Sequence, residues 1–162
     1  MQTPILRQPK GASLLFGLSA FLSSEINAEP SRATLPDSFD GYEHYTTVRR
    51  GESTEHIMTE PNTIEALQQG LEAPDGSRFL LVDYRNEAIY RIFVMEKGPG
   101  WGRDYANNEP AGDWHFQWYW PDGSINEERD TSWCRNCHNN REDEQFLFTY
   151  DELMSHRQGH LD

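Results

Sequence analysis

Two thiols and an imidazole stand together in this chain, where residues 134–138 read Cys-Arg-Asn-Cys-His. On a regular helical turn, residues at i, i+3 and i+4 share a face, so Cys134, Cys137 and His138 converge on one side. Cys-x-x-Cys-His is the pattern that attaches c-type haem: two thioethers to its vinyl groups, and a neutral imidazole nitrogen on its iron. Other chemistries share part of the pattern. A C-x-x-C pair can be a redox-active disulfide, but that motif usually opens a helix after a strand, whereas residues 126–133 read as helical or irregular. With His156-x3-His160 the cysteines outline a zinc site, although 18 residues separate the pairs, against about 12 to 15 in finger patterns. No other cysteine competes, and the histidine directly after Cys137 favours haem.

The elements around this motif read mainly as strands. Trp114, Phe116, Trp118 and Trp120 alternate onto one face of residues 114–120, with His115, Gln117 and Tyr119 on the other. His115 is expected where a sheet meets solvent or a partner. Strands are also expected at residues 54–58, 78–84 and 89–97, with the bend between the last two at residues 83–88. Pro61 in a first turn, apolar Ile64, Ala66 and Leu67, and the stop at Gly70 predict a helix over residues 61–69. Pro-Asp-Gly turns fall at residues 74–76 and 121–123, and a short polar helix is expected near residues 151–157. The fold class is therefore α+β, an antiparallel sheet with a few short helices.

A length of 162 residues supports one domain. Arg7 and Lys10, the apolar run 12–22 and the small residue Ala28 have the layout of a signal peptide. The run is too short for a permanent membrane span. Residues 1–28 are thus expected to be removed on export to a periplasm, residues 29–40 to be a loose lead-in, and residues 41–162 to form the domain. The net charge of −13 disfavours nucleic acid and anionic lipid, whose binding needs clustered Lys or Arg. Small neutral molecules and basic proteins are the favoured partners.

Several segments resemble the cytochrome P-460 family, which includes the cytochromes c′-beta: Gly41-Tyr42-Glu43-His44-Tyr45, Pro74-Asp75-Gly76-Ser77, Val94-Met95-Glu96-Lys97, Asn108-Glu109-Pro110, Gly112-Asp113-Trp114 with Phe116, the Cys134 to His138 motif, and Phe146-Leu147-Phe148-Thr149. They occur in family order over roughly residues 36–152. The resemblance implies a mostly antiparallel β fold, often dimeric, with one five-coordinate c-type haem open on its distal side. In enzymatic members a lysine on the strand after the Pro-Asp-Gly turn is linked to the haem, and these oxidise hydroxylamine. In c′-beta members that position is apolar, and the haem binds NO or CO. The only lysines here are Lys10 and Lys97, and the matching strand offers Leu81 or Val82. Lys97 belongs to the Met-Glu-Lys segment instead, so a P-460-type hydroxylamine or NO oxidase is the alternative reading.

Phe79, Leu81 and Val82 are the distal-wall candidates, and strand parity lets only one of Leu81 and Val82 face the iron. An apolar wall suits NO and CO, because bound dioxygen needs a hydrogen-bond donor. Arg78, Arg85 and Arg91 could meet a haem propionate. A sixth ligand, from His44, His56, His115, Met58, Met95 or Met154, would make the protein an electron carrier for a redox partner instead.

Overall fold

Phe79-Leu80-Leu81-Val82 is apolar without alternation, the pattern of a strand buried on both faces. The computed structural model places it at the centre of one antiparallel sheet. The structure describes residues 31–105, 111–127 and 129–157. The expected signal peptide with Lys10, Asn108-Glu109-Pro110 of the resemblance, and His160 lie outside the described residues.

Strands β1 (Glu43–Arg50), β2 (Ser53–Thr59), β3 (Arg78–Arg85), β4 (Ala88–Lys97) and β5 (Trp114–Tyr119) neighbour one another in chain order, each pair antiparallel. Helix α1 (Pro61–Gln68) connects β2 to β3, and α2 (Ser132–Asn139) and α3 (Tyr150–Ser155) follow the sheet. This is the expected α+β architecture. Strand β1 had no counterpart among the sequence expectations, and its residues Thr46, Thr47, Arg49 and Arg50 give no apolar period. The bend between β3 and β4 is tighter than expected: only Asn86 and Glu87 intervene, at φ +49° and +64°, as a primed two-residue hairpin requires.

Both faces of the sheet are covered. On one, Tyr45, Ile57, Phe79, Met95, Trp114 and Phe116 form a core with Ile64 and Leu67 of α1, Cys134 of α2 and Leu153 of α3. Each large apolar side chain buried there contributes roughly 1.5–3 kcal/mol. On the other, Leu80, Val82, Ile92, Val94 and Tyr119 pack with Ala33, Leu35, Phe39 and Tyr42.

Residues 31–40 of the lead-in are therefore not loose. The Tyr119 hydroxyl donates to the Ala33 carbonyl at 2.8 Å, and the Thr34 amide donates to Glu96 Oε2 at 2.8 Å. This cover also corrects the expectation for His115, whose side chain is fully buried. Its Nδ1 accepts from the Arg32 amide at 3.1 Å, and its Nε2 lies 3.0 Å from the Trp101 carbonyl. The alternation that put His115 opposite the aromatic face was right; solvent was the wrong occupant of that side.

Candidate functional site

Asp130 prepares the start of α2: its carboxylate accepts from the Ser132 amide at 2.8 Å and from the Ser132 hydroxyl at 2.7 Å. Those bonds hold its pKa below the usual carboxylate range. The helix then carries Cys134, Cys137 and His138 to the edge of a cavity of about 360 Å³ enclosed between α2, the segment 147–149 and the sheet. Cys134 is buried, Cys137 is exposed, and both are free thiols. Burial, and then the neighbouring Cys137, push the Cys134 thiol up to about 12.

His138 is fixed on three sides. Its Nδ1 lies 2.6 Å from the Phe146 carbonyl, an oxygen that only accepts, so Nδ1 carries the proton and Nε2 keeps its lone pair. The rings of Phe116 and Phe148 stand 4.8 Å and 5.0 Å from the imidazole. Burial lowers the His138 pKa, against the pull of the Phe146 carbonyl. A neutral imidazole with its far nitrogen free is the state that ligates a metal.

The sheet wall of the cavity is apolar at its middle and charged at one end. Ile57, Phe79, Leu81, Phe93, Met95 and Phe116 line the middle, with Tyr45 and Val48 from β1. Arg50, Glu55 and Arg91 line the end. Glu55 is buried, 3.7 Å from Arg50 Nε, and Arg91 Nε donates to buried Asp83 at 2.8 Å. Of the wall candidates, Phe79 and Leu81 reach the cavity and Val82 does not. Val82 pairs with Ile92 and His56 across the sheet and packs in the second core, because successive residues of a strand point to opposite faces. Of the two residues offered at the expected lysine position, Leu81 is the one on the cavity wall. Lys97 does not line the cavity; its ammonium donates to the Ala73 carbonyl at 2.8 Å and to Glu72 at 3.2 Å.

The remaining candidates separate cleanly. Arg91 lines the cavity, whereas Arg78 pairs with Glu96 at 2.9 Å and Arg85 sits 3.8 Å over the Tyr90 ring. His44 and His56 stack on one another 4.3 Å apart, away from the cavity. Met58 packs with the second core, Met154 is exposed, and Met95 is the one thioether on the cavity wall among the described residues. His156, the first histidine of the zinc outline, bonds Glu43 at 2.7 Å. Among the described residues no three His, Cys, Asp or Glu side chains group as metal ligands, and no helix is long and apolar enough to cross a membrane.

Sequence reasoning passed over Tyr45, Glu55, Phe93 and Trp133, all of which line the cavity. Phe93 and Ile57 share strand parity with Leu81 and were recoverable from pairing; Tyr45 and Glu55 sit on strands whose pattern carries little apolar signal.

A haem fits these residues. The cavity has the size of a cofactor site, its wall is apolar, and two free thiols and an unprotonated imidazole nitrogen meet on the helix at its edge. Such a site, on a mainly antiparallel sheet with short helices, is that of a haem-binding cytochrome. Residues 36–149 match the family model for Cytochrome P460, and the chain belongs to that family. No curated protein matches it.

Proposed function

We propose that this chain is an exported mono-haem c-type cytochrome that binds NO, or a related small ligand, at an apolar distal site. Cys134 and Cys137 would hold the haem, each thiol adding across a vinyl group, a step that needs reduced cysteines and releases nothing. His138 would give Nε2 to the iron as proximal ligand. Arg50 and Arg91, at the charged end of the cavity, suit the haem's carboxylate arms, since guanidinium pairs carboxylate in a planar fork. The bound haem supplies an iron that changes oxidation state and accepts a small diatomic ligand.

The chain's own residues then decide what that ligand is. Leu81 stands where a lysine would be needed for a haem cross-link, and neither it nor Ile57, Phe79 or Phe93 donates a hydrogen bond. The Tyr45 hydroxyl is already paired with Thr149 Oγ1 at 2.6 Å. An apolar middle to the wall favours NO and CO over dioxygen, which needs a hydrogen-bond donor. The absence of a lysine from the cavity wall among the described residues is the observation that carries this reading over hydroxylamine or NO oxidation. Export to a periplasm rests on the layout of residues 1–28. A redox partner, if one docks, would be basic, given the net charge of −13.

One preparation tests the proposal: the full chain made with the cytochrome c maturation machinery. Haem should stay with the polypeptide through denaturing electrophoresis, haem peptides should show links at Cys134 and Cys137 only, and the ferrous protein should bind CO and NO. A colourless product overturns the haem attachment. A low-spin, six-coordinate ferrous iron indifferent to both gases overturns the ligand-binding reading in favour of electron transfer, with Met95 as the ligand to replace first. Steady turnover of hydroxylamine with an electron acceptor would restore the enzymatic alternative.

A further inference from the structure

The hydrogen-bond partner of His138 Nδ1 is the main-chain carbonyl of Phe146. Its own residue is held in an unusual conformation. Gln145 and Phe146 are consecutive non-glycine residues at φ +55° and +64°, a region that a bulky side chain rarely enters. Such conformations persist only where the surroundings over-determine them.

The surroundings do so here. The Phe146 amide donates to the Arg141 carbonyl at 2.7 Å, and the Leu147 amide to the Glu144 carbonyl at 3.0 Å. The Phe146 ring lies flush on the backbone of Gly112: a Cβ at Gly112 would stand 2.8 Å from Phe146 Cε2 and 3.1 Å from Cζ. Gly112 is itself at φ +54°, and a Cβ built at Gly102 would collide with the Gly112 carbonyl oxygen. Asp113 locks that neighbouring loop by accepting from the Gly100 and Gly102 amides at 3.1 Å and 3.0 Å. Residues 100–102, 112–113 and 145–147 therefore stack at one point, from which the Phe146 carbonyl reaches His138 Nδ1.

We propose that Gly112 and Phe146 are positioning residues for the iron ligand: the Phe146 ring, seated on a position with no side chain, fixes the carbonyl that takes the Nδ1 hydrogen bond. The inference rests on the reading of His138 as proximal ligand. A short Nδ1–H···O=C bond makes the imidazole a stronger donor through Nε2, which strengthens the iron–histidine bond and favours ferric iron. Displacing the ring releases the carbonyl and moves both quantities the other way.

The test uses the holoprotein, with the ferrous iron–histidine stretch by resonance Raman and the midpoint potential as readouts. Gly112→Ala should lower the stretching frequency and raise the potential by about a tenfold change in the ferric–ferrous equilibrium, roughly 59 mV for one electron. In a Phe146→Ala background, where no ring remains to displace, Gly112→Ala should add no further shift. A folded Gly112→Ala holoprotein with native band and potential overturns the inference, as does an undiminished shift in the Phe146→Ala background. If Gly112→Ala does not accumulate, Phe146→Ala alone decides, since it frees the carbonyl and should shift both readouts in the same direction; native values overturn the inference. His138→Gly separates this from the underlying reading: the band should vanish and return with added imidazole. A band that survives His138→Gly shows that another residue ligates the iron, and both readings then fall together.

Discussion

The Tyr45 hydroxyl and Thr149 Oγ1 lie 2.6 Å apart, joining the edge strand β1 to the segment that follows His138. The bond closes the cavity at the side where α3 meets the sheet, and His156 bonding to Glu43 at 2.7 Å reinforces the same seam. Burial raises the Tyr45 phenol above its ordinary value, so it stays protonated. Tyr45→Phe should therefore lose about 1 kcal/mol of stability in denaturant unfolding. Thr149→Val should cost a similar amount, and the double variant little more than either alone. Because the hydroxyl is committed to Thr149, CO affinity should be unchanged in Tyr45→Phe; a large drop would show that the phenol serves the bound ligand.

Leu81 and Val82 are adjacent in sequence and opposite in environment, which makes lysine substitution a direct test of the register. Leu81→Lys places an ammonium on the cavity wall at a half-buried position, where it can extend through the cavity towards solvent or the charged end near Glu55. Val82→Lys places it in the second core, where Val82 has no exposed surface. A buried, unpaired charge costs on the order of 3–5 kcal/mol. Thermal unfolding of the two holoproteins should show a modest loss for Leu81→Lys and gross destabilisation or failure to accumulate for Val82→Lys. Equal effects would refute the assignment of Leu81 to the cavity wall.

The legible parts of this fold are those where one physical signal dominates. Alternation of Trp114, Phe116 and Trp118 gave β5, the apolar run 79–82 gave β3, and Pro61 with Gly70 bounded α1. What the sequence hid depends on pieces that meet only in three dimensions. Strand β1 is an edge strand with polar residues on most positions, so it carries no period and owes its place to pairing with β2. The lead-in has no regular structure of its own, yet Ala33, Leu35 and Phe39 cover a face that alternation alone assigns to solvent. In the site, the helical spacing of Cys134, Cys137 and His138 was readable. The left-handed Phe146 was not, since nothing in a phenylalanine announces a positive φ.

His115 gives the fold a pH dependence of defined sign. Its ring accepts the Arg32 amide hydrogen at Nδ1, so the proton sits on Nε2, facing the Trp101 carbonyl. Protonating Nδ1 would turn that acceptor into a second donor facing an N–H. Burial pushes the pKa down; the Trp101 carbonyl and Asp104 pull it up, and Arg32 and Arg135 push it down again. The folded value thus lies below the unfolded value of 6.5. As pH falls through 6.5 the unfolded chain takes up the proton first, so stability is full above that value and declines below it, levelling off once the folded pKa is passed. Burial also lowers His56 and His138, so the readout is a difference. Urea unfolding of wild type and His115→Gln at pH 7.5 and pH 5 should show a smaller acid loss in the variant; equal losses would contradict the assignment.

Cys134 and Cys137 differ in a way that bears on how haem would be attached. With its pKa pushed up to about 12, Cys134 holds far less thiolate than an ordinary thiol at neutral pH. Its side chain is also buried, while Cys137 is exposed at the cavity edge. Once the chain is folded, therefore, Cys137 is the reactive sulfur and Cys134 is nearly inert. Iodoacetamide added to folded apoprotein should alkylate Cys137 well before Cys134, and unfolding in denaturant should bring the two rates together. The same asymmetry orders the thioethers. A bond at Cys134 should form more slowly once its side chain is buried, so haem supplied only after folding should yield product linked first at Cys137, read directly by mass spectrometry of the haem peptide. Efficient double attachment to prefolded apoprotein would show that α2 opens readily and that the burial of Cys134 does not control the reaction.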